Sequence, residues 1–283
     1  ARVVAEFGAL KTALIGLSDP MAPGAVAPAP HAAAALAAGS GLATVVAERV
    51  LGRDARDWLS TVADLDALGD WAARTDTVAA RLFSRLLADG TAGLGDAPVA
   101  ALPPALARDA LDARLSGPEA DRFVAEPSWD GQPAETSPLT RIGTLPVVRD
   151  LRARLGCGVL TRLVAQLAET ARLAAGEGVG EPAADTGAAL RGGIGLAQVP
   201  AARGLLVHRV RLDGERVMDY RILAPTEWNF HPAGAVARGL QDLASRAEPG
   251  RLADLANLYI TAIDPCVRFS LEIDRSEATH PLT

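Results

Sequence analysis

The chain has 283 residues, 49% of them hydrophobic and 22% charged, with a formal net charge of −6. That is enough apolar chain for a substantial core and excludes a disordered protein, while the negative balance offers no general basic field for nucleic acid or an anionic membrane surface. Its two cysteines, Cys157 and Cys266, form no CxxC pair, which excludes a disulfide framework and a thiolate zinc or iron–sulfur site and leads us to expect a reducing, cytoplasmic setting.

Taken in chain order, the apolar run FGALKTALIGL at 7–17 is interrupted by Lys11, the only lysine. It is a poor signal peptide and too short to span a bilayer, so it reads as a buried helix. Residues 18–31 carry four prolines and a glycine, an irregular loop that ends at His31. A helix is expected over 31–59, weakened by Gly39 and Gly41, and a cleaner amphipathic one over 76–88 on Val78, Leu82, Phe83, Leu86 and Leu87. Residues 89–104 and 117–138, rich in Gly, Pro, Asp and Ser, read as loops.

The longest helical pattern runs over 146–175, with Val147, Leu151, Leu155, Val159, Leu163, Leu167 and Leu173 at three- and four-residue steps and Cys157 inside it. A polar, Gly-rich loop follows at 176–192. The period then changes. LLVHRVRL and ERVMDYRIL flank Asp213-Gly214, predicting a hairpin over 205–223 with Leu206, His208, Val210 and Leu212 on one face. That face is apolar, so His208 reads as a hydrogen-bonded core residue. Helices are predicted at 235–247 and 251–263, and Cys266 comes just after the second. The expected architecture is one α+β domain over 1–283, mainly α, a helix-bundle core with a late β-hairpin packed against one end.

Residue chemistry by itself leaves Cys266 as a small buried hydrophobe and Arg203 as an ordinary surface or salt-bridged side chain. GGIG at 192–195 lacks the dinucleotide fingerprint spacing, and no Walker loop, GxSxG or HExxH occurs.

Five short stretches carry more when read together. RGLLVH at 203–208, PTEWN at 225–229 and Asp264-Pro265-Cys266 follow PGAVAPAPH at 23–31 and SPLTR at 137–141. Their order and spacing resemble the large subunits of nickel–iron hydrogenases, whose corresponding motifs are CGxCPxAH, GPLAR, APRGxLxH, PTTWN and DPCxxCxxH. The departures are equally clear. Gly24, Ala27 and Phe269 stand where that family has three of its four metal-binding cysteines, and Glu272 stands where it has its terminal histidine. One thiolate cannot hold a nickel–iron centre, whose affinity and redox behaviour depend on soft sulfur ligands.

The pattern is therefore similar to the HupK/HoxV-type hydrogenase expression and formation proteins, degenerate relatives of the large subunit. The resemblance implies the nickel–iron hydrogenase large-subunit fold and a non-catalytic scaffold or chaperone role in hydrogenase maturation. It implies a transient Fe(CN)2(CO) fragment as cargo, no nickel, and as partners the hydrogenase large-subunit precursor or other maturation proteins, with no nucleic acid and no membrane insertion. Arg203 and Thr226 would then bind the cyanide and carbonyl ligands and Cys266 the iron, with Cys157 and His31 ranked behind Cys266. Trp228 and Asn229 would fix the PTEWN turn. Two other readings stay open: a divergent catalytic large subunit, and a metal-free structural relative comparable to the quinone-site subunit of respiratory complex I.

Overall fold

The computed structural model describes residues 43–177, 187–190, 192–248 and 250–273. The expected helix at 7–17, the proline-rich loop and His31 lie outside them. Two hydrophobic cores organise the rest, one among the helices and one beneath a sheet.

A π-helical stretch, Val46–Leu51, ends at Gly52 in the left-handed conformation (φ 68), so the helix expected through 59 is broken. Asp54 restarts the chain as an N-cap, its carboxylate accepting from the Arg56 and Asp57 amides to open α1 (Ala55–Thr61). The next two helices, α2 (Leu65–Arg74) and α3 (Val78–Ala88), are capped in the same way by Asp64 and Thr77. Their inward faces bring Trp58, Trp71 and Phe83 edge to face, with centroids 5.6 and 6.1 Å apart along the series. The segments read as loops contain β1 (Ala100–Ala101), α5 (Ala120–Ala125), β2 (Ser128–Trp129) and β3 (Gln132–Glu135), and α4 (Arg108–Ser116) lies between them.

After a short α6 (Pro138–Arg141), the helix expected over 146–175 is two: α7 (Pro146–Leu155) and α8 (Val159–Ala174). The physical reason lies in the glycines on either side of Cys157. Gly156 has φ 73, and a Cβ on Gly158 would stand 2.7 Å from the Leu94 carbonyl oxygen. The 92–94 loop therefore approaches closely and its carbonyls take the first α8 amides, Val159 to Leu94 at 2.9 Å and Leu160 to Ala92 at 3.0 Å. Cys157 sits in this break and not in a helix. Buried along most of its length, α8 forms the axis of the helical core.

The late hairpin belongs to a four-stranded antiparallel sheet, β4 (Gly187–Ala189), β5 (Ile194–Ala201), β6 (Gly204–Asp213) and β7 (Arg216–Leu223), in chain order. Its tip is Gly214–Glu215, since Asp213 already pairs with Arg216 and Gly214 (φ 57) alone takes a positive dihedral there. The buried face is the opposite of the one expected. Leu196, Leu205, Val207 and Leu223 pack on Leu111, Leu115 and Trp228, while Leu206, His208, Val210 and Leu212 face outward. Arg209 explains the reversal: it lies on the buried face, 2% exposed, because Asp112 (2.6 Å) and Asp219 (2.9 Å) match its charge. His208 is thus half-buried and hydrogen-bonds the Tyr220 hydroxyl on the outer face.

The last described helices are α9 (Pro225–Asn229), α10 (Ala235–Arg246) and α11 (Leu252–Ile263), the last two as expected. Mainly α with a subordinate sheet, the fold has the expected class. Among the described residues no helix is long and apolar enough to cross a membrane.

Candidate functional site at the Asp264-Pro265-Cys266 turn

Apolar α11 ends where Pro265 prevents its continuation, and Asp264 takes the C-cap in the left-handed region (φ 59, ψ 65), its amide donating back to Ile260 and Thr261 at 3.1 Å. This turn throws Cys266 out of the helix axis. The thiol is free and the residue exposed, against the reading of Cys266 as a buried side chain.

Two other sequence-predicted residues reach the same turn. Arg203 occupies the two-residue connection between β5 and β6, and its Nε lies 2.9 Å from an Asp264 carboxylate oxygen. Thr226 sits in the first turn of α9, and its Oγ1 accepts a 3.4 Å hydrogen bond from the Cys266 amide. Both side chains of the Arg203–Asp264 pair are about one quarter exposed, at 27% and 22%. The pair is therefore reachable from solvent.

The supports come from the remaining landmarks. Arg141, at the end of SPLTR, donates to the Ala202 carbonyl at 2.7 Å and is itself held bidentately by Glu169 at 2.7 and 2.6 Å. That fixes the connection bearing Arg203. Gly204 (φ 143) lets the connection approach Thr136, whose carbonyl oxygen would lie 2.6 Å from a Cβ there. Thr136 Oγ1 accepts from the Leu205 amide at 2.8 Å. Asn229 clamps the Thr136 backbone from both sides, donating to its carbonyl at 2.9 Å and accepting from its amide at 3.0 Å. Trp228, fully buried and edge to face with Phe123, packs α9 into the second core. Four of the five quoted stretches thus converge through named contacts; the fifth, with His31, lies outside the described residues.

A second polar centre joins the two cores. Arg162 and Glu135, 2% and 3% exposed, form a buried ion pair, and Ser137 adds a 2.7 Å hydrogen bond to Glu135. Glu135 holds the Arg162 guanidinium charged against the cost of burial, raising its pKa. Tyr259 stacks beside Arg162 and donates to the Ala235 carbonyl, and burial pushes its pKa up to about 12.

Cys157 is buried, its amide bonded to Asp96 at 2.8 Å, and among the described residues no hydrogen bond joins it to Arg203, Thr226 or Cys266. Among the described residues no group of three or more His, Cys, Asp and Glu side chains is placed to hold a metal ion. The sequence reading named Arg203 without its partner Asp264, though the partner stands in the same tripeptide as Cys266. It also left Thr136 and the Arg162–Glu135 pair unnamed, because their roles depend on contacts far apart in the chain.

No family model matches the chain. It is 36% identical over 241 residues to the hydrogenase expression/formation protein HoxV of Cupriavidus necator, covering 80% of this chain and 61% of that protein. The chain is a homologue of the HoxV and HupK hydrogenase expression/formation proteins. The HupK protein of Bradyrhizobium diazoefficiens is 40% identical over 129 residues, covering 44% of this chain and 34% of that one. Relative to HoxV, the chain therefore spans about three fifths of the length, and relative to this HupK about a third. Among solved structures, the Ni-Fe-Se hydrogenase of D. vulgaris Hildenborough matches with a TM-score of 0.37 at 23% identity, over 50% of this chain and 36% of that one.

Proposed function

We propose that this chain acts in nickel–iron hydrogenase maturation as a non-catalytic cytoplasmic scaffold, receiving an Fe(CN)2(CO) fragment at Cys266 and passing it towards the hydrogenase large-subunit precursor. The observation that supports this reading is the convergence of Arg203 and Thr226 on the turn that carries Cys266. The names of the HoxV and HupK relatives supply the maturation context.

The donor set suits such a cargo. A thiolate is a soft ligand for low-valent iron, and a cyanide nitrogen accepts hydrogen bonds. Arg203 stays charged when partly buried and has further N–H groups beyond the Nε that faces Asp264. The Thr226 oxygen accepts from the Cys266 amide, which leaves its own proton to donate. A single thiolate on an exposed turn holds less firmly than a four-thiolate cage, as transfer requires.

Iron content and infrared absorption in the cyanide and carbonyl region, measured on protein purified anaerobically from its own host, test this reading. Iron with those bands in the parent chain, both absent in Cys266→Ala, is the expected result. Bands that persist in Cys266→Ala, or no iron in the parent, would overturn it. A metal-free structural relative is the second reading, favoured by Arg203 already being matched by Asp264. It expects no iron in either sample.

A further inference from the structure

We propose that the pocket beside the α7–α8 break binds a small ligand through a phosphate group, with Arg149 and Arg152 as its anion receptors. This pocket is separate from the Cys266 turn. It is an open surface pocket of about 460 Å³, and its lining includes Asp96, Gly143, the exposed Arg149 and Arg152, Gly156 and Cys157.

Three observations carry the assignment. First, Arg149 and Arg152 stand one helical turn apart on α7 and line the pocket together, yet neither has an ion-pair or hydrogen-bond partner among the described residues. Their neighbour Arg154, outside the pocket, is paired with Asp66, as Arg74 is with Asp70 and Arg246 with Asp242. Two adjacent guanidiniums repel each other and offer planar forks matched to a tetrahedral oxyanion.

Second, glycines keep the lining free of side chains beside Arg152 and beside Asp96. A Cβ on Gly143 would stand 3.0 Å from Arg152 Nη1, and one on Gly156 would meet the Asp96 carboxylate at 2.5 Å. Third, Asp96 is already committed: its Oδ1 accepts from the Cys157 amide at 2.8 Å, and its own amide is held by Asp242 at 3.1 Å. It shapes the loop and leaves the lining with a net positive charge. A phosphate occupies only part of the volume, so the remainder accommodates the body of a small phosphorylated molecule.

Inorganic phosphate is the probe. Equilibrium dialysis of the full chain against labelled phosphate at fixed ionic strength should show saturable binding, greatly weakened in Arg149→Gln and in Arg152→Gln and retained in Arg154→Gln. In a Cys266→Ala chain, where Cys157 is the only thiol, phosphate should also slow alkylation of Cys157 several-fold more than sodium chloride does. Circular dichroism matched to the parent separates lost binding from lost folding. No saturable binding, or equal binding in the Arg149 and Arg152 variants, overturns the proposal. So does equal protection of Cys157 by chloride.

Discussion

Arg203 and Asp264 are 61 positions apart and meet at 2.9 Å, so a β-hairpin connection and the end of the last described helix are held together by one ion pair. Asp264 neutralises the guanidinium that the proposed cargo would use. Replacing Asp264 with Asn should therefore keep iron retention at or above the parent level, because a competing anion is removed. Arg203→Met should lower it and shift the cyanide bands. Equal loss of iron in both variants, read by metal analysis and infrared absorption, would make the pair purely structural.

Asn229 clamps both backbone groups of Thr136 in a buried setting. Asn229→Ala leaves a buried amide and a buried carbonyl without partners, a cost of about 2–6 kcal/mol at 1–3 kcal/mol per group. The urea midpoint should fall accordingly. Cys266 should also react faster with thiol reagents, since α9 carries the Thr226 hydroxyl that holds its amide.

Glu135→Ala strands the Arg162 guanidinium between the two cores and should cost about 3–5 kcal/mol in denaturant unfolding. The double variant Glu135→Ala with Arg162→Met removes the stranded charge and should recover much of that loss. Additive losses in the double variant would show that the pair is not coupled.

Gly239 lies within α10, where a change to Ala ordinarily stabilises a helix by about 1 kcal/mol. Here the sign reverses. A Cβ at this position would run into the ring of Tyr259, so Gly239→Ala should destabilise by about 1–3 kcal/mol. Thermal unfolding of Gly239→Ala beside Gly239→Ala with Tyr259→Leu checks this, with the second change relieving the first.

Tyr259 supplies a pH dependence. Burial raises its pKa to about 12, above the ordinary value of 10.0, so the folded state favours the neutral phenol. Its contribution is fully present below pH 10 and is lost between about pH 10 and 12, where the unfolded chain ionises first. Tyr259→Phe should flatten that part of the alkaline stability profile, as measured by urea unfolding across the range.

The mainly helical class, the helix ending at Ala88, both C-terminal helices and the 205–223 hairpin are legible in the sequence, although the turn falls at Gly214–Glu215 and not at Asp213-Gly214. These depend on periodicity and turn chemistry, which act over a few residues. Its short motifs also named Arg203, Thr226 and Cys266, which the fold brings to one turn. Tertiary structure alone decided the rest. Val147 to Leu173 keeps a helical period straight through Gly156-Cys157-Gly158, and only the approach of the 92–94 loop stops the helix there. Along β6, two alternating apolar faces compete. The face carrying Arg209 is buried because Asp112, 97 residues away, supplies the opposite charge. Asp264 is ordinary in sequence and becomes the partner of Arg203 only when α11 and the β5–β6 connection meet. Local periodicity fixes which elements form, whereas long-range charge matching and backbone approach decide where they break and which face they bury.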